Sequence, residues 1–360
     1  MALDATSIII TGDCGQVGIA IVKHLQDQYP KATILDFEKP LASDARFIEK
    51  VTYYAGNITD EAILKEIFEA VKSLVVFHTA GLVPQIAKRL DIHTEKDYSA
   101  VNVQGTRNVL DAATAVGSVK ALVFTSSSDV LKGDSWQDLA GVNESMAIPK
   151  VFDDPYAKSK SFILSSSTAI LPTTAIRTHA VFSANDNNLV PLMLSSPRNI
   201  HLGPGKNLYD FTYAPNLALA HVLAAENLLS ISPTEAFNPL SAAGKPFFVT
   251  NAEPMAFPTF ITMVWAAFDA SGGSEQEQAR GFTIPAPVAL GVTWMSEKAA
   301  RIVRKEPFLT VKDLGDSLAQ RWFDNTSTTA VLRYVPSTSL EQGLKETAKG
   351  YMIARKEGLQ

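Results

Sequence analysis

The sequence predicts an α/β protein built on a doubly wound, parallel sheet of the Rossmann type. Up to about residue 180, short apolar runs alternate with segments of helical spacing, and this alternation is typical of a parallel sheet with helices on both faces. A glycine-rich turn from Gly12 to Gly18 directly follows the first apolar run. Beyond Arg177 the alternation ends, which predicts a smaller, discontinuous C-terminal lobe that caps the substrate.

Each predicted element has a local signal. Strands are expected at apolar runs bounded by polar or turn residues, namely Ser7–Thr11, Thr33–Asp36, Leu74–His78, Lys120–Ser126, Thr174–Arg177 and Phe247–Thr250. Helices are expected where apolar residues recur at helical spacing, namely Gln16–Gln28, Glu61–Val71, a stretch within Tyr98–Val116, Pro155–Ala169, Leu217–Leu229 and Thr259–Asp269. Asp60 suits the N-cap of the second helix, and Pro155 suits a first turn.

The order of these elements predicts two domains. The Rossmann domain is expected to comprise residues 1–182 plus 213–250, and the substrate-binding lobe residues 183–212 plus 251–360. Three apolar stretches of the lobe are candidates for pocket wall or plain core: Pro254–Phe257, Ile261–Trp265 and Phe282–Met295. For Phe282–Met295 a membrane-surface location is the alternative, and a pocket wall is the simpler interpretation.

Composition narrows the range of partners. The chain of 360 residues is 46% hydrophobic and 19% charged, and its formal net charge is −5. Binding to nucleic acid requires a concentrated positive surface, so we expect no nucleic-acid partner. No stretch reaches the length of a spanning helix, and the amino end has no basic region of a signal peptide. We therefore expect a cytoplasmic protein without an integral membrane segment.

The glycine-rich turn can hold a pyrophosphate. Gly12 permits a tight turn, Gly15 lets backbone N–H groups approach the phosphates, and Gly18 lets helix and strand pack closely. The helix N-terminus adds partial positive charge. The turn also contains Cys14, Gln16 and Val17. Cys14 is the single cysteine of the chain, and we interpret it as a small residue tolerated in a turn.

An acidic residue indicates which dinucleotide is preferred. Asp36 ends the second predicted strand, where a carboxylate would hold the adenosine ribose diol and repel a 2′-phosphate. This predicts NAD in preference to NADP. Further cofactor contacts are expected from residues after the following strands, namely Asn57, Ile58, Thr79, Ala80 and Gly81.

The histidines show no sign of a metal site. His78 precedes Thr79 at a strand end, and we interpret it as a hydrogen-bonding residue of the strand rather than a catalyst. The remaining histidines lack the spacing of metal ligands, and only one cysteine is present. No metal is therefore expected.

A tyrosine and a lysine one helical turn apart form the predicted reacting site. Tyr156 and Lys160 share a helix face. Tyrosine is a weak base at neutral pH, but a nearby ammonium stabilises its phenolate. With the positive charge of an oxidised nicotinamide, Tyr156 can take a proton from a substrate hydroxyl or return it. Both residues are therefore also expected to contact the cofactor.

A run of serines completes this site. Ser126, Ser127 and Ser128 follow an apolar strand and should lie at the carboxyl edge of the sheet, where ligands bind in open α/β folds. One hydroxyl can hold the substrate oxygen against Tyr156. Asn102 stands inside a predicted helix and is a weak helix former, so we expect it to support Lys160 through water.

Taken together, these motifs resemble the extended short-chain dehydrogenase/reductase superfamily, and within it the 3β-hydroxysteroid and decarboxylating sterol-4α-carboxylate 3-dehydrogenases. The resemblance covers nearly the whole chain. The similar segments are Thr11–Gly18, His78–Ala80, Val101–Thr106, Phe124–Ser128, Pro155–Lys160, Ile176–Arg177, Gly205–Asn207, Asp210–Tyr213, Arg333–Pro336 and Ser339–Leu344.

The resemblance implies specific roles. Ser127 is the catalytic serine, Tyr156 the acid/base, Lys160 its activator and Asn102 the supporting residue. A homodimer through the helices of Asn102 and Tyr156 is also implied. Three positions depart from the family pattern and concern cofactor geometry and substrate choice: Thr178 stands for a usual proline, Ser183-Ala184 for Gly-Pro, and Asn57 for a frequent aspartate.

The residues and the resemblance lead to one main functional expectation. It is NAD-dependent oxidation of a secondary alcohol, of the 3β-hydroxy type, on a large apolar, steroid- or terpenoid-like substrate, with loss of a neighbouring carboxylate where one is present. A nucleotide-sugar epimerase or dehydratase is the alternative, with Arg198, Lys206 and Arg280 as candidate diphosphate ligands. A ketone or aldehyde reductase and a non-catalytic dinucleotide sensor are further alternatives.

Overall fold

A seven-stranded parallel sheet forms the centre of the protein. The structure is a computed structural model that describes residues 7–12, 15–26, 32–36, 47–49, 51–84, 93–161, 171–230, 238–272, 282–302, 307 and 309–356. The strands of the sheet are β1 (Ile8–Thr11), β2 (Ala32–Asp36), β3 (Thr52–Ala55), β4 (Val75–His78), β5 (Ala121–Ser127), β7 (Thr173–Thr178) and β12 (Pro246–Val249). Their order is β12-β7-β5-β4-β1-β2-β3, and every neighbouring pair is parallel.

This topology confirms the predicted fold class. The strand order reverses between β1 and β4, and in open α/β sheets ligands bind at this point. Strand β3 was not predicted, because Thr52–Ala55 is half exposed at the sheet edge and lacks an apolar run. The other six strands of this sheet lie within one residue of their predicted bounds.

Helices cover both faces of this sheet, which creates two separate cores. On one face, α1 (Gln16–Gln26) and α7 (Ala214–Ser230) pack on side chains such as Ile8, Val123 and Phe247. On the other face, α2 (Glu61–Val71) and α4 (Thr106–Val116) pack on alternate strand positions such as Ile9 and Phe124. The alternation arises because successive strand side chains point to opposite faces.

The segments around Asn102 and Tyr156 differ from ordinary helices. A short helix α3 (Glu95–Tyr98) continues into a π-helical turn at Ser99–Gly105 and then into α4. The long helix predicted within Tyr98–Val116 is therefore present, but with a π-helical start. Helix α5 (Pro155–Ser161) carries Tyr156. The predicted continuation of this helix to Ala169 lies outside the described residues.

Later segments build a second, smaller unit of structure. Strands β6 (Leu139–Val142), β10 (Leu208–Tyr209), β13 (Met255–Ala256) and β15 (Arg321–Phe323) form a sheet of order β13-β10-β15-β6. Two short pairs join β8 (Val181–Phe182) to β11 (Thr212–Tyr213), and β9 (Ile200–Leu202) to β14 (Phe282–Ile284). The accompanying helices are α6 (Leu189–Leu194), α8 (Phe257–Ala270), α9 (Ala286–Ile302), α10 (Val311–Leu318), α11 (Thr326–Leu332) and α12 (Leu340–Lys356).

The apolar stretches of these later segments differ in their burial. In α8, Phe260 and Val264 are buried in an aromatic core together with Phe182 and Phe211. Trp265 is buried as well, so this stretch is core.

In Phe282–Met295 the interpretation as plain core is wrong for the large side chains. Val292, Trp294 and Met295 are 54–58% exposed, whereas the small residues Ala289 and Thr293 of the same helix are buried. Helix α9 therefore presents its large apolar side chains outward. The cause is the sequence itself, because the small residues recur at helical spacing and occupy the inner face.

Candidate active site

The glycine turn lies at the carboxyl end of β1, next to the chain that leaves β4. Gly12 has a φ of 75°, and a Cβ atom on it would lie 2.5 Å from the Cα of Ala80. Only glycine therefore permits this close approach. The amide of Gly15 donates to the carbonyl of Gly12 at 3.3 Å. Helix α1 begins at Gln16, and its first N–H groups have no acceptor within the helix, as an anion-binding turn requires.

Of the other predicted cofactor residues, Thr79 contacts this turn directly, whereas Asn57 and Ile58 follow β3 and bond to other residues. The hydroxyl of Thr79 donates to the carbonyl of Thr11 at 2.8 Å and lies 3.0 Å from that of Gly12. Asn57 accepts from the amide of Thr59 at 3.0 Å, and the carbonyl of Ile58 accepts from Asn108 at 3.1 Å. Val17 lies in the first turn of α1 beside buried Gly18. Cys14 lies outside the described residues, as does the side chain of Asp36, whose backbone ends β2.

Gln16 makes a contact that the sequence did not predict. Its side-chain amide donates to the carbonyl of Val181 at 3.3 Å and accepts from the hydroxyl of Ser183 at 3.2 Å. Ser183 belongs to the segment that departs from the usual Gly-Pro. The departure therefore supplies a polar link from helix α1 to the start of the later segments.

His78 connects the glycine turn to the π-helical turn. Its Nδ1 lies 2.6 Å from the hydroxyl of Thr11, and its Nε2 lies 2.8 Å from that of Thr106. Because Thr106 donates its proton to the carbonyl of Asn102 at 2.8 Å, we assign the ring proton to Nε2. Burial, with a smaller effect from the ammonium of Lys160, lowers the pKa of His78 to about 3. The ring is neutral and takes part in two hydrogen bonds, which confirms the prediction that His78 is a hydrogen-bonding residue of the strand.

Ser127 and Tyr156 meet at the carboxyl end of β5. Both side chains are buried; Ser127 ends β5, and Tyr156 lies in the first turn of α5. Burial raises the pKa of Tyr156 above its ordinary value, and the carboxylates of Asp129 and Asp154 raise it further. The hydroxyl of Ser127 opposes this rise. A base at this position therefore needs additional positive charge before it can ionise near neutral pH.

Lys160 lies on the cofactor side of Tyr156. Its ammonium donates to the carbonyl of Thr125 at 3.2 Å and stands 4.9 Å from the ring centre of Phe124. A Cβ on Gly81 would lie 2.9 Å from this ammonium, so Gly81 leaves room for it. Burial lowers the pKa of Lys160 to about 8. The group is therefore largely charged at neutral pH, yet able to exchange a proton in the physiological range.

Asn102 is held by direct contacts with Leu82 and Ser159, and the expected water link to Lys160 stays a prediction. Its side chain accepts from the amide of Leu82 at 2.7 Å and donates to the carbonyl of Leu82 at 3.0 Å. It also donates to the hydroxyl of Ser159 at 2.9 Å, which itself donates to the carbonyl of Tyr156 at 2.8 Å. Ser159 was missed by sequence reasoning. Its only signal is a small polar residue on the buried face of α5.

Comparison with known proteins identifies the family. A profile of the 3-beta hydroxysteroid dehydrogenase/isomerase family matches residues 9–278. The chain belongs to this family. It is 36% identical over 304 residues to the decarboxylating sterol-4-alpha-carboxylate 3-dehydrogenase of Schizosaccharomyces pombe, which covers 82% of this chain and 83% of that protein. This result confirms the resemblance inferred from the motifs.

Two further similarities extend this comparison. The chain is 28% identical over 362 residues to the 2-alkyl-3-oxoalkanoate reductase of Shewanella oneidensis, across 96% of this chain and 86% of that protein. The UDP-glucose 4-epimerase of Thermus thermophilus, solved in complex with NAD, has a TM-score of 0.66 at 16% identity and covers 96% of this chain and 99% of that one. At this identity the epimerase supports the fold alone.

For a member of the 3-beta hydroxysteroid dehydrogenase/isomerase family, the described residues fit a dinucleotide. Gly12 and Gly15 carry no side chain that would obstruct a phosphate, and helix α1 begins beside them. The ammonium of Lys160 lies next to Gly81, in the segment that also contacts Gly12. In the described part of the chain, no group of three or more His, Cys, Asp or Glu side chains could hold a metal ion.

Within the described ranges of the chain, we find no helix with the length and the apolar character that crossing a bilayer demands.

Proposed function

We propose that the protein is an NAD-dependent dehydrogenase that oxidises a secondary alcohol on a large apolar substrate of the sterol or terpenoid type. The observation that carries this proposal is the burial of Ser127 and Tyr156 at the carboxyl end of β5 and the start of α5, with Lys160 in the same helix. Membership of the 3-beta hydroxysteroid dehydrogenase/isomerase family supports it.

The chain's own residues supply the proton chemistry. Ser127 holds the substrate oxygen, and Tyr156 removes the hydroxyl proton while the carbinol C–H bond breaks. When bound, the oxidised nicotinamide accepts the hydride and adds positive charge beside the phenol. Lys160 contributes a second positive charge, and Asn102 with Ser159 fixes the helix that carries Tyr156. The products are a ketone, a reduced cofactor and a proton.

The names of two relatives suggest a narrower substrate class. A sterol-4-alpha-carboxylate has its carboxylate on the carbon beside the 3-hydroxyl carbon, and a 2-alkyl-3-oxoalkanoate has the same relation between carboxylate and ketone. Both are therefore β-hydroxy or β-keto acids with a bulky apolar part. We propose that this chain acts on such a β-hydroxy acid. Oxidation forms a β-keto acid, which loses carbon dioxide because the new carbonyl accepts the electron pair.

Direct assay tests this function. Purified protein is incubated with NAD and a 3β-hydroxysterol 4α-carboxylate, the matching sterol without the carboxylate, or a 2-alkyl-3-hydroxyalkanoate, while NADH and carbon dioxide are measured. We expect NADH with every accepted alcohol, and carbon dioxide only with the acids. Absence of turnover across a broad panel of sterols, terpenoids and β-hydroxy acids would reject the proposal. Replacement of NAD by NADP tests the preference predicted from Asp36.

The nucleotide-sugar alternative loses support from the structure. Arg198 forms a double hydrogen bond to Asp269 at 2.6 and 2.8 Å, so its charge is already paired. Lys206 is exposed, and Arg280 lies outside the described residues. Tight binding of a UDP- or GDP-sugar would nevertheless reverse this conclusion. The sensor alternative is disfavoured because the proton-transfer residues are assembled and buried together.

We further propose that the protein binds the surface of a membrane through α9. Phe282, Val292 and Trp294 are more than half exposed, and the ammonium of Lys298 lies 5.6 Å from the ring centre of Trp294. An outward apolar face with tryptophan and a flanking cation suits the interface between water and lipid. Such a location would bring the active site close to apolar substrates dissolved in the bilayer.

Vesicle flotation tests the membrane proposal. The protein is mixed with vesicles of phosphatidylcholine and phosphatidylserine, and the double variant Val292→Ser/Met295→Ser is compared with Val151→Ser, which changes an exposed valine outside α9. We expect only the double variant to lose binding. Equal flotation of all three proteins would contradict the proposal.

The proposed division into domains and the homodimer rest on the sequence. Limited proteolysis tests the boundaries between residues 1–182 plus 213–250 and the remaining lobe. Strand β6 falls within residues 1–182 but pairs with β15 of the four-stranded sheet. The two proposed domains therefore share this segment. Size-exclusion chromatography with light scattering tests the homodimer.

A further inference from the structure

A buried lysine joins three separate segments beside the active site. The ammonium of Lys132 lies 3.8 Å from a carboxylate oxygen of Asp129, 3.7 Å from Asp154 and 3.3 Å from Asp316. The side chains of Lys132 and Asp154 are each only 5% exposed. We call these four residues the Lys132 cluster. None of these four residues acts as acid, base or substrate ligand in the proposed dehydrogenase reaction.

Two members of the Lys132 cluster are built into the catalytic segments. Asp129 stands two residues after Ser127, and its amide donates to the Ser127 hydroxyl at 3.2 Å. Asp154 caps helix α5, because its carboxylate accepts from the amide of Tyr156 at 2.9 Å and its carbonyl accepts from Lys158 at 3.0 Å. Lys132 therefore contacts both the turn that follows Ser127 and the cap of helix α5, which carries Tyr156 and which we call the tyrosine helix.

The third member belongs to a distant part of the chain. Asp316 lies on α10 and also accepts from Arg321 of β15 at 3.1 Å. Lys312 of α10 makes a second connection, 3.2 Å from Asp154. The cluster thus attaches the four-stranded sheet and α10 to the catalytic segments through the buried charges of Lys132 and Asp154 and the half-buried ones of Asp129 and Asp316. Breaking one partner of such a network leaves the others uncompensated, which is strongly unfavourable.

We propose that Lys132 is a positioning residue for the proton transfer at Tyr156. It holds the turn after Ser127, the cap of helix α5 and helix α10 in one arrangement, and it neutralises the carboxylates that face the phenol. This inference rests on the proposed dehydrogenase function. It concerns a residue that neither touches the substrate oxygen nor belongs to the serine, tyrosine and lysine set.

The charges around the phenol give this role a distinctive consequence. Burial alone would lower the pKa of Lys132, but Asp129, Asp316 and Asp154 outweigh it and keep the pKa above its ordinary value, while Arg321 opposes them. Lys132 is therefore charged throughout the neutral range. Its ammonium lowers the pKa of Tyr156, whereas Asp129 and Asp154 raise it. Removal of the ammonium should therefore raise the pKa of Tyr156, because nothing from Lys132 then offsets the two carboxylates.

The pH profile of kcat measures this effect. In the oxidation direction Tyr156 acts as a base, so kcat rises as the pH passes through the pKa of Tyr156. We expect Lys132→Met to move this limb to higher pH by about one unit, which lowers kcat about tenfold below the limb. Asp129→Asn should move it to lower pH, because it removes a negative charge beside the phenol. Lys132→Arg should restore most of the original profile.

Controls separate the possible outcomes. Lys65→Met removes a lysine from an exposed pair with Glu69 and should leave the profile unchanged. Wild-type turnover establishes the dehydrogenase function independently, so an inactive wild type would reject that function instead. If the wild type is active and both Lys132→Met and Asp129→Asn keep its profile, the proposal is overturned. If Lys132→Met does not fold, the opposite shift of Asp129→Asn alone decides.

Discussion

The side-chain amide of Asn102 donates to the hydroxyl of Ser159 at 2.9 Å, and this contact joins the π-helical turn to the tyrosine helix. Ser159 in turn donates to the carbonyl of Tyr156 at 2.8 Å. The π-helical turn brings Asn102 to this position, and such turns are frequent at functional sites. The orientation of Tyr156 therefore depends on a residue far away in the sequence.

Ser159→Ala should reduce kcat more than it reduces substrate affinity. Without the hydroxyl, the Asn102 amide loses an acceptor and the tyrosine helix loses its link, so we expect kcat to fall about three- to tenfold. The free energy of unfolding should fall by about 1 kcal/mol. Steady-state kinetics and urea denaturation measure both. Ser161→Ala, which removes an exposed hydroxyl bonded to Lys158, should change neither.

Tyr156→Phe should nearly abolish turnover while cofactor binding persists. The ring that packs 5.9 Å from Tyr98 remains, but the proton acceptor is lost, so we expect a decrease in kcat of about 10²- to 10⁴-fold. Fluorescence titration with NADH checks binding. Tyr351→Phe, in a residue that packs on Phe268, serves as a matched control. Full NADH production by Tyr156→Phe would refute the assignment of this residue as the base.

Gly12→Ala should disrupt both folding and cofactor binding. Its φ of 75° disfavours alanine, and the new methyl group would lie 2.5 Å from the Cα of Ala80. Gly117→Ala is the matched control, since Gly117 has a φ of 70° but nothing within 4 Å of the position that a methyl group would take. We expect the control to lose only about 1 kcal/mol. Similar thermal stability and NADH affinity of both variants would argue against a close approach at Gly12.

Stability should decline as the pH falls below about 6.5. Burial lowers the pKa of His78 to about 3 and that of His179 and His221 to about 4. In the unfolded chain these histidines bind protons near pH 6.5, whereas in the folded protein they stay neutral. At these three groups the unfolded state binds more protons, so they lower the stability as the pH falls. Asp210 has the opposite, smaller effect, because burial raises its pKa to about 7. At pH 5.5 each histidine should contribute a loss of about 1 kcal/mol.

Urea denaturation between pH 7.5 and 5 measures this slope. His221→Gln should flatten it, because Gln can still bond Thr125, which lies 2.8 Å from the ring, but does not titrate. His201→Gln changes a less buried histidine and should keep the full slope. Equal slopes for the wild type and His221→Gln would show that His221 is protonated in the folded state.

Local signals predicted much of the fold. Helix α2 occurs at Glu61–Val71 as predicted, because Asp60 caps it with hydrogen bonds to Ala62 and Ile63. The buried strands were recognisable because they are continuous apolar runs. Strand β3 was not, since its stability comes from pairing with β2 rather than from its own pattern. Tertiary pairing of this kind leaves no signature in a short segment.

The site was predictable where its residues are close in sequence. Tyr156, Lys160 and Ser127 are recognisable from their spacing and from the strand before the serines. The contacts of Asn102 were not, because they need a π-helical turn and a residue on another helix. The Lys132 cluster was also beyond prediction, since Lys132 and Asp316 are 184 positions apart. Such contacts exist only once the chain has folded.

Helix α9 buries its small side chains and exposes its large ones, and this packing determines how firmly the helix is held to the rest of the protein. Among the described side chains of α9, those buried beneath it are the small Ala289, Thr293 and Ala300, so little apolar surface anchors the helix to the rest of the protein. Amide hydrogens of α9 should therefore exchange with solvent much earlier than those of α7, whose inner face lies in a deep core. Contact with lipid should slow this exchange selectively.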